Sequence, residues 1–243
     1  MSYTLTLKDV PPSEAVIDTV AQLSNGKVLL AFSTGKDSIA AWLALKERGV
    51  EGIPYYYYLV PDLQIVEASL KYYEDFFGTH IYRVPSPSLY RMWRNCIFQN
   101  PERLPVLMST PLPNLKHEHL ADAVKQTHKV SKDTWTALGV RAADSVNRRT
   151  NFVRSGAMNK KALKFYPVWD WKKERLRIAI FKAKVKLPID YWLFGRTLDG
   201  LDYRFIAPLK KHYPDDYERI RQYFPMIDAE LLRGEMNGMS DHL

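Results

Sequence analysis

A short polar loop at residues 33–38 carries the groups best suited to chemistry on a phosphate. Its sequence is Ser33-Thr-Gly-Lys-Asp-Ser38, and it lies between an apolar run that predicts a strand and a pattern that predicts a helix. Amide groups in the first turn of a helix lack intrahelical partners and bind phosphate oxygens, an attraction that the helix dipole strengthens. Gly35 lets the backbone approach a ligand closely, and Lys36 adds positive charge. The loop is therefore predicted to bind a phosphate-bearing ligand.

This loop differs from a Walker A loop in its spacing. A Walker A loop needs glycine five residues before the Gly-Lys pair and serine or threonine directly after the lysine. Leu30 and Asp37 occupy those two positions here. The plain alternative is a capped helix start, in which Ser33 or Thr34 caps the helix and Asp37 favours its dipole. A capped helix start explains one serine and one aspartate. It does not explain why all six residues at 33–38 follow a buried strand in this order.

A second group of anion-binding residues follows the predicted strand at 134–138. Arg141, Arg148 and Arg149 carry planar guanidinium groups, which suit phosphate and sulfate. If residues 145–149 are helical, Arg141, Ser145 and Arg148 share one helix face. Parallel strands present their carboxyl ends at the same sheet edge, so these residues are expected to face the loop at 33–38. The alternative is ordinary surface arginine.

Alternating helix-like and strand-like segments position these residues. Continuous apolar runs, which are typical of a sheet covered on both faces, indicate the strands, and apolar residues at helical spacing indicate the helices. These two patterns predict strands at 27–33, 53–60, 80–84 and 134–138 and helices at 13–23, 38–48, 63–77, 88–98 and 117–130. The proline-rich stretch at 100–115 is expected to be a long loop or lid. This rhythm predicts an α/β protein with a doubly wound, mainly parallel, Rossmann-like sheet.

The strand–helix rhythm fades after residue 140, and we predict a boundary there. Residues 1–140 are expected to form a nucleotide-binding α/β core. Residues 141–243 are expected to form a basic segment and a mostly helical extension packed on that core. Helices are predicted at 171–184 and 215–224, with an irregular stretch at 187–214 that proline and glycine interrupt.

The composition excludes several classes of protein. The chain has 243 residues, of which 46% are hydrophobic and 26% charged, as in ordinary soluble folds. Its one cysteine excludes a disulfide framework and any four-cysteine metal site built from this chain. No signal peptide and no apolar run long enough to cross a bilayer is apparent. The protein is therefore predicted to be cytoplasmic, with no membrane partner.

Positive charge is concentrated in one segment of the chain. Residues 141–186 contain fourteen lysines and arginines against three acidic residues, a net charge of +11. The whole chain carries +8, so the remainder carries −3. A concentrated positive field suits a polyanion, and we predict DNA or RNA as a partner of this segment. A solvated basic surface is the alternative, and a protein partner or a homo-oligomer stays open.

Three segments resemble motifs of a known superfamily. Residues 33–38 resemble the PP-loop, Ser-Gly-Gly-x-Asp-Ser, of the N-type ATP pyrophosphatases. The segment Leu138-Gly-Val-Arg-Ala-Ala-Asp-Ser-Val-Asn-Arg148 is similar to a Gly-[Ile/Val]-Arg-x-x-Glu-Ser-x-x-Arg segment of the phosphoadenosine phosphosulfate (PAPS) reductase-like branch. Tyr166-Pro-Val-Trp-Asp-Trp171, with Leu187-Pro188 and Gly195, resembles a later pattern of that branch. The resemblance covers roughly residues 25–200 and implies the adenine nucleotide alpha hydrolase-like fold.

The resemblance also implies a ligand and a reaction. The ligand is ATP or a related adenine nucleotide, and ATP is cleaved to AMP and pyrophosphate while an acceptor is adenylated. The implied catalytic residues are Lys36, Asp37 and Arg148. Asp37 is the expected contact of Mg²⁺, directly or through water, because Mg²⁺ takes few protein carboxylates. The adenine is expected near Leu59 and Val60. Asp62 follows the second predicted strand at the same sheet edge, and an ordinary loop aspartate after Pro61 is the alternative. Together with the residues derived above, the predicted nucleotide-binding residues are Ser33, Thr34, Gly35, Lys36, Asp37, Ser38, Leu59, Val60, Asp62, Arg141, Ser145 and Arg149.

Two departures from the family pattern bear on activity. Thr34 stands where the family has its first glycine, so the backbone there is expected to avoid a conformation that only glycine tolerates. The tail at 234–243 has no cysteine, although the family's reductases use a C-terminal cysteine as nucleophile. Cys96 is expected to be a small buried hydrophobic residue. The chain is therefore predicted not to be a thiol-dependent PAPS reductase.

Three function classes remain open. The first is an ATP-using enzyme that adenylates an acceptor or binds a PAPS-like nucleotide without cysteine chemistry. The second is a nucleic-acid-modifying or nucleic-acid-binding protein that uses the ATP site. The third is a regulatory module that binds a nucleotide without turnover. Salt dependence of binding separates the second class, because contacts to polymer phosphates release counterions. Pyrophosphate release separates the first class from the third.

Overall fold

The computed structural model of the protein describes residues 3–239 and contains a six-stranded sheet. Its strands are β1 (Lys27–Ala31), β2 (Glu51–Tyr58), β3 (Tyr82–Pro85), β4 (Thr136–Leu138), β5 (Met158–Asn159) and β6 (Lys164–Phe165). They lie in the order β3-β2-β1-β4-β6-β5. β1 pairs in parallel with β2 and β4, and β4 pairs in parallel with β6, whereas β5 and β6 are antiparallel. The predicted α/β class with a mainly parallel sheet is confirmed.

Helices flank and follow the strands. They are α1 (Ser13–Leu23), α2 (Lys36–Glu47), α3 (Gln64–Phe77), α4 (Pro87–Arg94), α5 (Leu104–Ser109), α6 (His117–Thr127), α7 (Val146–Ser155), α8 (Lys173–Lys182), α9 (Asp190–Phe194), α10 (Tyr203–His212), α11 (Pro214–Tyr223) and α12 (Asp228–Met236). The chain places β2 and β3 on one side of β1 and then returns to place β4 on the other side. Open α/β sheets bind ligands at such a reversal of strand order.

β1 and α2 form the support for the loop between them. Val28, Leu29 and Leu30 of β1 are completely buried, as the continuous apolar run predicted. Burying one such side chain contributes about 1.5–3 kcal/mol. α2 is rich in alanine and leucine, which favour helix, and seven of its residues are buried. α2 ends before Gly49, whose φ of +69° terminates the helix.

Several elements differ from the sequence-based expectations. The predicted loop at 100–115 contains α5, because Pro105 stands in the first turn, where a proline needs no amide partner. The stretch predicted as irregular at 187–214 contains α9 and α10, and α10 accommodates Pro208 in its interior. α12 was not predicted. β5 and β6 were also missed, because strands of two residues leave no periodic signal.

The chain divides into two compact units. The first comprises Met1–Tyr57, Glu74–Arg83 and Glu118–Leu187, and the second comprises Tyr58–Tyr73, Val84–His117 and Pro188–Leu243. The predicted boundary at residue 140 stays a prediction, although β5 and β6, which follow it, join the same sheet as β4. Within residues 3–239, no helix combines the length and apolar character needed to cross a membrane.

The second unit includes the mostly helical C-terminal region. The Asp216 carboxylate accepts hydrogen bonds from the Gln64 and Ile65 amides at 2.6 and 3.0 Å, so it caps the beginning of α3. Gly234 of α12 faces the Tyr203 ring of α10, and a Cβ at this position would lie 1.9 Å from that ring. A glycine is therefore required for this helix contact.

Candidate functional site

The loop between β1 and α2 adopts a left-handed conformation at Thr34. Its φ is +59°, which a β-branched residue rarely adopts, and Thr34 is buried. The expectation that threonine would avoid the glycine conformation is wrong. Surrounding contacts stabilise this backbone, and the Thr34 hydroxyl donates a hydrogen bond to the Ser33 carbonyl at 2.6 Å. Strain of this kind costs about 1–3 kcal/mol and is frequent at functional sites.

Ser38 holds the loop in its shape. Its hydroxyl donates to the Gly35 carbonyl at 2.8 Å and accepts from the Ser33 amide at 3.3 Å. The Ser33 hydroxyl also lies 3.4 Å from it. Because Ser38 is buried, its hydroxyl is engaged in shaping the loop. Gly35 and Lys36 stand at the beginning of α2.

A network of charges joins the loop to the residues after β4. The Asp37 carboxylate accepts from Lys36 Nζ at 3.2 Å and from Arg141 Nε at 2.6 Å. The Asp144 carboxylate accepts from Arg141 Nη2 and from Arg148 Nη1, each at 2.6 Å. Three cations and two anions thus alternate from Lys36 to Arg148. This chain of ion pairs links Lys36, Asp37 and Arg148, the three residues predicted as catalytic.

Arg141 lies in the interior of this network. Only 5% of its side chain is exposed, and both neighbouring carboxylates take its N–H groups. The carbonyl of Trp171 lies 3.5 Å from its Nη1, and the Ala142 amide donates to the carbonyl of Trp169 at 2.7 Å. The segment at 166–171 therefore contacts both Arg141 and the residue that follows it. Arg141 is placed to orient Asp37 and Asp144, whereas Arg148, with 47% of its side chain exposed, can reach a ligand.

Gly139 allows the end of β4 to approach the beginning of α2. A Cβ at Gly139 would lie 2.6 Å from the carbonyl carbon and oxygen of Asp37 and 2.7 Å from the amide of Ser38. Real Cβ atoms do not come so close to backbone, so only glycine fits here. This contact fixes the distance between the loop and the segment that carries Arg141.

A cavity of about 320 Å³ lies between α7 and the strands β4 to β6. Apolar and aromatic side chains form part of its wall, and amide, hydroxyl and guanidinium groups form the rest. The lining residues are Leu138, Val140, Arg148, Asn151, Phe152, Ser155, Gly156, Asn159 and Tyr166. Burial raises the pKa of the Tyr166 hydroxyl, which keeps it in its neutral form. A small organic ligand with a few polar groups matches such a wall.

The remaining predicted residues occupy separate positions. Ser145 caps α7, because its hydroxyl accepts from the Arg148 amide at 3.2 Å, and Arg149 is exposed on that helix. Leu59 and Val60 follow β2 and belong to the second unit. Asp62 belongs to the same unit, and its carboxylate pairs with Arg219 at 2.5 Å.

Three residues of the candidate site were not singled out by sequence reasoning. Asp144 connects Arg141 to Arg148, and its spacing of three and four residues from them was a usable signal. Asn151 and Asn159 line the cavity, but an asparagine in a polar segment gives no distinct signal. Cys96, expected to be buried, is partly exposed. Within the cysteine-free tail, residues 240–243 lie outside the described residues.

The loop offers a limited set of ligands for Mg²⁺. Asp37 supplies the carboxylate, but Lys36 and Arg141 already occupy its two oxygens. No cluster of three or more metal-ligating side chains is found within residues 3–239. This donor set fits Mg²⁺ held mainly by phosphate oxygens and water, with Asp37 contacting it through water.

Comparisons with known proteins give distant likenesses in structure. No protein-family model matches the sequence, and no curated protein matches it. A predicted subunit of tRNA methyltransferase from Methanocaldococcus jannaschii is 16% identical, with a TM-score of 0.37 over 79% of this chain and 91% of that chain. An NH3-dependent NAD synthetase from Campylobacter jejuni is 14% identical, with a TM-score of 0.42 over 95% of this chain and 96% of that chain. The fold class accordingly rests on the strand order and pairing described above.

Proposed function

We propose that the protein is a PP-loop enzyme that binds ATP and cleaves it to AMP and pyrophosphate while adenylating an acceptor. The observation that carries this proposal is the network from Lys36 through Asp37, Arg141 and Asp144 to Arg148. It joins a phosphate-binding loop to a second cation at the point where the strand order reverses. The motifs at 138–148 and 166–171, which resemble those of the PAPS reductase-like branch, support an adenine nucleotide as the ligand.

Each residue has a distinct role in this proposal. Amides at the beginning of α2 bind phosphate oxygens, and Lys36 neutralises the charge that develops on the departing pyrophosphate. An acceptor oxygen attacks the α-phosphorus, and the bond from that phosphorus to the bridging oxygen breaks. Arg148 stabilises the α-phosphate, while Arg141 and Asp144 orient the Arg148 side chain. Mg²⁺, when bound, supplies further charge neutralisation.

The cavity beneath α7 suits the acceptor. Arg148 lines it and also belongs to the network, so an acceptor there would lie close to the cation that contacts the nucleotide. The adenine is proposed to lie against Leu59 and Val60, as the resemblance implies. Arg149 is proposed as a further nucleotide contact because its guanidinium suits phosphate, and Asp62 because it follows the second predicted strand.

Calorimetry with ATP and Mg²⁺ tests the proposed site. Lys36→Ala should weaken ATP binding by about 10- to 150-fold, the effect of losing one hydrogen bond to a charged group. Lys46→Ala, an exposed lysine in the last turn of the same helix, should leave ATP affinity unchanged. Equal affinities for the wild type and Lys36→Ala would contradict the proposal.

Pyrophosphate release distinguishes an enzyme from a regulatory module. The wild type with ATP and Mg²⁺ should release pyrophosphate once a suitable acceptor is supplied, and Lys36→Ala should not. Tight ATP binding without pyrophosphate release across a panel of acceptors would favour the regulatory module.

A further inference from the structure

The outer face of α8 carries an aromatic ring in water. Phe181 is 84% exposed, more than any other aromatic side chain within residues 3–239, and Ile178 on the neighbouring turn is 39% exposed. The inner face of the helix is different, because Leu176 is buried where α8 packs on α2. A phenylalanine this exposed has no role in the core and exposes apolar surface to water.

Four cations without partners in the described part of the chain lie on this helix or directly after it. We name as the α8 face the residues Lys173, Arg177, Ile178, Phe181, Lys182 and Lys184. Its four cations form no ion pair or side-chain hydrogen bond with any residue in the described part of the chain. Arg175 on the same helix contrasts with them, since it pairs with Glu14 and lies 4.5 Å over the Trp171 ring. The helix has a single acid, Glu174, in its first turn. The α8 face therefore combines four cations that are unpaired within residues 3–239 with an exposed ring, and Glu174, two turns before Phe181 on the same side of the helix, is the one acid of α8 near it.

We propose that the α8 face binds single-stranded nucleic acid, with Phe181 stacking on a base and the surrounding cations contacting phosphates. Proteins bind single-stranded nucleic acid with exposed aromatic rings among cations, because every base offers a flat face for stacking. A duplex has its bases already stacked on one another and offers no free face to Phe181.

An anionic membrane is the less suitable occupant. An interfacial helix needs a broad apolar face to enter the headgroup layer. α8 is about 15 Å long, and its exposed apolar residues are Ile178 and Phe181 alone, because Leu176 faces the protein. Charge complementarity and one stacking ring therefore favour a polynucleotide. This inference is independent of the proposed ATP chemistry.

Fluorescence anisotropy with a labelled single-stranded oligonucleotide at ~50 mM salt tests the role of the ring. Phe181→Ala should weaken binding by about 5- to 150-fold, the effect of losing one base–aromatic stack. Phe181→Trp should restore it, because the indole also stacks. Ile178→Ala is the matched control, since it removes an exposed apolar residue of the same helix and should change affinity little.

The salt dependence of binding tests the cations. Arg177→Glu combined with Lys182→Glu should weaken binding and reduce the slope of log K against log salt by about 1 or more. The Phe181 variant should keep the wild-type slope, because it removes no charge. ATP affinity should be unchanged in all these variants. Lys36→Ala should bind the oligonucleotide as the wild type does, which separates this inference from the proposed function.

Four results would overturn the inference. They are no oligonucleotide binding at ~50 mM salt, unchanged binding by Phe181→Ala, equal affinity for a duplex of the same length, and cosedimentation with anionic phospholipid vesicles in place of oligonucleotide binding. Unchanged binding by Phe181→Ala would mean that the α8 face binds through charge alone. Cosedimentation with vesicles would mean that it binds membranes.

Discussion

Helices α7 and α8 have similar compositions and different surroundings. Both belong to the segment at 141–186 with a net charge of +11. α7 buries only Phe152, and its Arg148 pairs with Asp144, which is connected through Arg141 to the loop at 33–38. α8 packs on α2 and leaves most of its cations in water. The two helices carry the same net charge, but Arg148 of α7 belongs to the network at Asp144, whereas Arg177 and Lys182 of α8 have no partner within residues 3–239.

The position of one carboxylate produces this difference. Asp144 precedes α7 by two residues and takes an N–H group from each of two arginines. α8 has Glu174 in its first turn, and this residue forms no ion pair with its helix neighbours among residues 3–239. A count of charges predicts the total field of the segment. It does not distinguish cations that are fixed in a network from cations that remain open to a partner.

The strongest test of the α7 network is Arg141→Ala. The change leaves Asp37 and Asp144 without their shared partner in a mostly buried place. The free energy of unfolding should fall by about 3 kcal/mol, as expected when one member of a buried ion pair is removed. Urea denaturation measures this loss.

Arg177→Ala on α8 is the control for Arg141→Ala. It removes an exposed arginine without a protein partner in the described part of the chain, and the free energy of unfolding should change by less than about 0.5 kcal/mol. If the two variants were equally stable, the arginine network would have no structural role.

A smaller effect is expected for Arg148→Ala, and it should appear in binding. Its ion pair with Asp144 is half-exposed and spans one helical turn, so folding should lose only about 0.5 kcal/mol. Calorimetry should show that ATP binding weakens by ~1.5–3 kcal/mol, because a charged hydrogen bond to the nucleotide is lost. Arg154→Ala, in the last turn of the same helix, should bind ATP normally. Normal binding by Arg148→Ala would place the second anion contact elsewhere.

The smallest effect concerns Asp170, which lies before α8. Its carboxylate accepts from the Ser13 amide at 3.1 Å, but its Oδ1 has no partner within residues 3–239. Burial raises the pKa of Asp170 above its ordinary value of 3.8. The folded protein therefore holds this proton more tightly than the unfolded chain does. Its contribution to stability falls as pH rises from the ordinary pKa through the raised one.

Asp170→Asn should remove this dependence on pH. The amide still accepts from Ser13 and carries no charge to desolvate, so the variant should gain stability relative to the wild type as pH rises. The expected difference near neutral pH is about 1 kcal/mol, the lower end of the cost of burying a polar group. Urea denaturation at acid and neutral pH measures it. A difference that shrinks with rising pH would contradict the assignment.

Much of the fold follows from local sequence patterns. The bounds of α1 agree with the prediction, and β1, β2, α2 and α3 agree within a few residues. Their apolar residues recur at helical or strand spacing, which is a short-range property of the chain. β5 and β6 could not be predicted because each depends on pairing with a neighbouring strand. α10 could not be predicted because Pro208 interrupts its local signal.

By itself the sequence determined the strand–loop–helix unit around residues 33–38, the α/β class and the concentration of charge at 141–186, because neighbouring residues carry these features. Only the tertiary structure decided that Thr34 adopts a positive φ, that Arg141 is buried and that Phe181 is exposed whereas Phe152 is not. Asp37 and Arg141 are separated by 104 positions in the chain, yet they form one ion pair. Contacts of this kind depend on which distant segments pack together, and local periodicity holds no information about them.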